Sequence, residues 1–90
     1  MFNSINLELL DKRYFNIIMI EPRDITVQSK NTGHYWYIHN TEYPSKESCV
    51  IYHKHKYSHP YHHHGSGNSL SQVISCIKSH DCWQLRGRKR

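Results

Sequence analysis

The stretch Asn68-Ser69-Leu70-Ser71-Gln72-Val73-Ile74-Ser75-Cys76-Ile77-Lys78-Ser79 decides the fold. Leu70, Val73, Ile74 and Ile77 recur at i, i+3, i+4 and i+7, which places them on one stripe of a helix. Ser71, Gln72, Ser75, Lys78 and Ser79 take the other side, and Asn68 or Ser69 supplies the capping oxygen. One apolar stripe needs one partner layer, and what precedes it in the chain reads as a sheet.

Working backwards, residues 48–55 alternate with period two. Cys49, Ile51, His53 and His55 fall on one face of a strand, and Val50, Tyr52 and Lys54 on the other. Residues 34–39, His-Tyr-Trp-Tyr-Ile-His, form an aromatic strand after the turn Asn31-Thr32-Gly33. Residues 25–29 form another, with Ile25 and Val27 inward, and Glu21-Pro22-Arg23-Asp24 closes a hairpin with residues 14–20. The nearly unbroken apolar run from Tyr14 to Ile20 suggests burial on both faces, so this strand is expected at the sheet centre. Residues 40–46 loop back through Pro44, and residues 56–67 are expected to be a loop. Residues 4–12 suit a short helix capped by Ser4, with Leu7 and Leu10 on one side. The absence of alanine argues against a helical bundle.

The expected class is therefore α+β. A small antiparallel β-meander of three to four strands is covered on one face by a C-terminal α-helix, with a short N-terminal helix as an optional addition. Ninety residues make one domain, taken as 1–85, with 86–90 as a basic tail. Covering one face leaves the other open to water. That open face is either Tyr35, Tyr37, Tyr52 and Lys54, or else Trp36, His34 and the His53/His55 pair.

Charge is unevenly placed. Residues 1–47 carry five Lys/Arg against six Asp/Glu, whereas residues 48–90 carry seven against Asp81 alone. Seven of the nine histidines also lie in the second half. Such a surface suits an anionic partner. Cys49, Cys76 and Cys82 form no disulfide framework, and the first residues lack a signal-peptide pattern, so reduced thiols in a cytoplasmic setting are expected. The longest apolar run, Ile17 to Ile20, is far too short to cross a bilayer.

Four functions follow from these residues. The first is nucleic-acid binding, alone or within a protein complex. Lys54, Lys56, Arg86, Arg88, Lys89 and Arg90 would meet phosphates, and Tyr52, Tyr57 and Tyr61 would stack or pack. His53, His55, His62, His63 and His64 would strengthen the contact as pH falls from about 7 to 6. The second is a phage or mobile-element inhibitor or adaptor of a host nucleic-acid-processing enzyme. Its anchors would be Tyr35, Trp36, Tyr37, Tyr57, Tyr61 and Trp83.

The third is a zinc-stabilised module using His53, His55, Cys76 and His80. No other cofactor is expected. The fourth, catalysis, is not favoured. The order His63-His64, Asn68, His80 resembles the His…Asn…His elements of ββα-metal nucleases, but only Gly65-Ser66-Gly67 separates the first pair from Asn68, and paired carboxylates are lacking. A binding protein rather than an enzyme is the expectation. Free sheet edges would permit a homodimer.

Overall fold

A computed structural model describes residues 2, 7–42 and 46–86. Five strands run in chain order: β1 (Phe15–Ile20), β2 (Asp24–Ser29), β3 (Tyr35–Asn40), β4 (Cys49–Lys54) and β5 (His62–Gly67). Each pairs antiparallel with the next, giving one sheet of order β1-β2-β3-β4-β5. One helix, α1 (Leu70–Leu85), follows and lies against β4 and β5. This is the expected α+β arrangement with one strand more than expected.

The extra strand is β5, which occupies part of the segment expected to be a loop. His62-His63-His64-Gly65-Ser66-Gly67 has neither strand propensity nor apolar alternation. Pairing with β4 decides its conformation, as tertiary context often does for sheets. His53 faces His62 and Ile51 faces Gly65, so His64 is an extra residue in a bulge.

The apolar run of residues 14–20 misled in the opposite direction. It forms β1, which lies at an edge of the sheet and not at its centre. The register shifts between Ile17 and Met19, leaving Ile18 as the extra residue. The bulge breaks the two-residue alternation, so consecutive apolar residues do not imply two buried faces. Ile18 and Ile20 stand 53 % and 44 % exposed.

The core lies between the sheet and α1. Ile25, Val27, Trp36, Ile38, Cys49 and Ile51 come from the sheet, and Leu70, Val73, Ile74 and Ile77 are the helix stripe. Ser69 caps α1, its hydroxyl accepting from the Gln72 N–H, while the Gln72 side-chain oxygen accepts from the Asn68 N–H. Gly67 lets the helix start close to β5, since a Cβ there would meet Val73 Cγ2 at 3.0 Å.

The helix runs to Leu85, beyond the Ser79 expected from its apolar stripe. The stripe's next position is Asp81, a fully buried acid that accepts from Tyr14 OH at 2.7 Å and Thr32 Oγ1 at 3.1 Å. A polar residue continuing an apolar stripe hides the last turns from periodicity. At the other end, residues 7–10 form one turn closed by the Leu10 N–H and the Leu7 carbonyl. Ser4 and the start of the expected N-terminal helix lie outside the described residues, as does Pro44. No helix among the described residues is long and apolar enough to cross a membrane.

Candidate functional site

Alternation along β4 divides the candidate residues between two faces. His53 points to the helix side, with His55 beyond it, whereas Tyr52 and Lys54 point to the open side. The single basic surface expected from the sequence is therefore two surfaces of different chemistry.

On the helix side, Trp36 and His53 are paired across β3 and β4, and their rings stack at 4.1 Å. His64 from the β5 bulge and His80 from α1 meet both rings edge-on and lie 4.8 Å from each other. His62 packs edge-on against His53 at 5.6 Å. At the end of β4, His34 and His55 stack at 4.3 Å and both touch the His53 ring. Six imidazoles thus form one cluster, with His53, His64 and His80 on the Trp36 indole and His34, His55 and His62 on the His53 ring. Gly33 sets the approach to β3: its φ of 77° is readily adopted by glycine and delivers His34 two residues ahead of Trp36, on the same face.

This environment removes protons. Burial pushes His53 down to about 3, helped by the neighbouring imidazoles of His80, His34, His55 and His64. Burial also lowers His64, with His62 and His63 adding to the effect. It lowers His80 too, where His64 assists and Asp81 opposes. His53 is therefore neutral between pH 7 and 6. The expected gain in attraction over that interval does not come from it, because desolvation disfavours its charged form, and the same cause works against the charged forms of His64 and His80.

On the open side, tyrosines surround one ammonium. Lys54 Nζ lies 5.4, 5.0 and 4.4 Å from the ring centres of Tyr35, Tyr57 and Tyr61. It also donates to the Tyr57 carbonyl at 2.9 Å. Tyr37 stacks on Tyr52 at 5.5 Å, and His63 meets Tyr52 edge-on at 5.9 Å. Tyr37, His39, Tyr52 and Tyr61 line an open cleft of about 440 Å³. Asp24 accepts from the Tyr37 hydroxyl and bonds His39 Nδ1 at 2.8 Å, which holds its carboxyl below the usual range. Burial and Asp24 push the Tyr37 hydroxyl up to about 12.

Of the residues singled out from the sequence, Tyr52, Lys54, Tyr57, Tyr61 and His63 belong to the open side, and His53, His55, His62 and His64 to the cluster. Lys56 is exposed in the turn after β4. Arg86 caps the C-terminus of α1 and donates to Cys82 Sγ. Arg88, Lys89 and Arg90 lie outside the described residues.

The four proposed zinc ligands do not converge as a set. His53 touches both His55 and His80, but the nitrogens that gather with those of His53 and His55 are those of His34, and Cys76 is exposed and free. The alternative open face containing Trp36 and His53 is also excluded, since both are buried. Sequence reasoning grouped His34 with Trp36, His53 and His55 on one face and Tyr35 and Tyr37 with Tyr52 and Lys54 on the other, but left His34 out of the zinc ligands and Tyr35 and Tyr37 out of the nucleic-acid contacts. The signal for His34 was its parity with Trp36.

No family model, curated protein or solved structure matches this chain.

Proposed function

We propose that this protein binds single-stranded nucleic acid on the open face of its sheet. The observation that carries the reading is the gathering of Tyr35, Tyr52, Tyr57 and Tyr61 with Tyr37 around Lys54 on the side that α1 leaves uncovered. Aromatic side chains accept any base by stacking, and a lysine among them supplies charge for phosphate. Lys56, His63 and the basic residues Arg86, Arg88, Lys89 and Arg90 would extend the phosphate contacts.

The test is a titration of fluorescently labelled oligo-dT and oligo-U at several salt concentrations. Affinity should fall linearly on a log–log plot as salt rises, through release of counterions. Tyr52→Ala should weaken binding by roughly 5- to 150-fold, the range for one lost stacking contact. No binding at low salt, or equal binding by Tyr52→Ala, overturns the reading.

A protein partner, such as a host nucleic-acid-processing enzyme that this chain inhibits, is the second reading. The observation favouring it is the β1 edge, where Ile18 and Ile20 are exposed beside unpaired strand backbone among the described residues. Affinity for a purified enzyme that survives high salt and is lost in Ile18→Lys would support it over the first.

A further inference from the structure

The imidazole cluster has one end where three ring nitrogens converge. One nitrogen from each of His34, His53 and His55 lies within 4.8 Å of the other two. His53 Nε2 is 3.2 Å from His34 Nδ1. Two imidazole nitrogens on one tetrahedral zinc, each 2.0–2.1 Å from the ion, stand about 3.3 Å apart, and their ring centres about 5.2 Å apart. The His34–His53 and His53–His55 ring centres are 5.1 and 4.9 Å apart. The His34–His55 pair departs from this, being stacked at 4.3 Å with planes 7° apart, so these two rings must separate by about 1 Å and turn out of their parallel stack to aim at one ion.

We propose that His34, His53 and His55 form a site for one Zn²⁺ ion, with the fourth position left to water. The ligands sit on ordered backbone. His53 is fixed in β4 against the Trp36 ring, His55 follows two residues later, and His34 enters β3 from the Gly33 turn. Nitrogen donors without carboxylates suit zinc and other late first-row ions and do not suit magnesium or calcium. Asp81, the acid next to His80, already accepts from Tyr14 and Thr32. His53 is 2 % exposed, and its Nε2 shares a hydrogen bond with His34 Nδ1, which an ion would replace by coordinating both nitrogens.

The experiment uses the untagged full chain, purified without nickel and stripped with chelator. Titration with Co²⁺ should give intense tetrahedral visible bands ending at one equivalent, and Zn²⁺ should abolish them. At a hundredfold excess over its Kd, Zn²⁺ should raise the melting temperature by roughly 10 °C. His55→Gln should lose more than the roughly 100-fold in zinc affinity that removing an outer-shell partner costs. His59→Gln should bind as the parent does, because His59 is exposed and takes no part in the cluster.

Several weak equivalents, an octahedral cobalt spectrum, or equal affinity in His55→Gln and His59→Gln would overturn the proposal. Equal affinity is the signature of adventitious binding by a histidine-rich surface. Should His55→Gln fail to fold, the cobalt spectrum and melting shift of the parent chain decide alone.

Discussion

His53 and Lys54 are neighbours in the chain, yet they live in different media. His53 is sealed beneath α1 among imidazoles and indole, while Lys54 reaches over tyrosine rings on the open face. The pleat of one strand makes this division, turning a basic-looking sequence into one packed face where burial lowers His53, His64 and His80, and one cationic, aromatic face. A local density of histidine and lysine is thus no measure of local positive potential until parity is taken into account. What His53 loses in charge it gains as a neutral nitrogen ligand.

The largest expected effect separates the faces at the adjacent residues Trp36 and Tyr37. Trp36→Ala should destabilise the domain by about 3–5 kcal/mol, as loss of a large buried aromatic does, and should scatter the imidazoles that pack on it. Tyr37→Ala should leave stability within about 1 kcal/mol of the parent and reduce oligonucleotide affinity. Denaturant melts and binding titrations on the two variants check this. Equal destabilisation by both would erase the distinction between core and open face.

Acid should act through the imidazole face. In the unfolded chain His53 takes up its proton near pH 6.5, but in the folded protein only near 3. Below 6.5 the unfolded state therefore binds the extra proton. Stability is intact above that pH and declines towards pH 3 by about 1.4 kcal/mol per unit. His64 and His80 shift in the same direction and steepen the loss. Chelator-treated protein should be weaker by about 2 kcal/mol at pH 5 than at pH 7. A urea midpoint that does not move between those conditions would contradict the burial of neutral His53.

Much of the fold is legible in the residues. The stripe Leu70, Val73, Ile74 and Ile77 identifies α1, and alternation identifies β2 with its inward side and β4 with its two faces, though not which of the two faces of β4 is inward. What was hidden has physical causes. Two bulges, at Ile18 and His64, break the period on which strand reading depends. Strand β5 owes its form to a partner rather than to its own residues. The site was half legible: parity placed His34 with Trp36 and with His53 and His55, but whether that face lay under the helix or open to water was left undecided, and the zinc ligands were sought on the helix, at Cys76 and His80, instead of at His34.

Asp81 ties the two layers together, and its loss should matter less than that of Trp36. In Asp81→Asn one of the two hydroxyls now served by the carboxylate, from Tyr14 and Thr32, would face an amide N–H₂ in place of an acceptor. A cost of about 1–3 kcal/mol is expected for the mismatched buried group. The Tyr14 hydroxyl, pushed up to about 12 by burial and Asp81, should then titrate at lower pH. Ultraviolet titration of tyrosine reads this shift, and no change in the tyrosine titration would contradict the bond.

The smallest effect sharpens the comparison most, because it alters the open face without touching the core. Lys54→Met keeps a long apolar stem over Tyr35, Tyr57 and Tyr61 but removes the ammonium and its bond to the Tyr57 carbonyl. Each exposed cation–ring contact contributes about 0.5–1 kcal/mol, and part of that is recovered by the stem's own packing. Stability should therefore fall by only about 1 kcal/mol. Oligonucleotide binding should lose about one phosphate's worth of salt dependence, seen as a log–log slope shallower by about 0.7. If the slope is unchanged while affinity drops, Lys54 orders the tyrosines and does not meet phosphate, and the charge that attracts the strand lies in Lys56 and the C-terminal arginines.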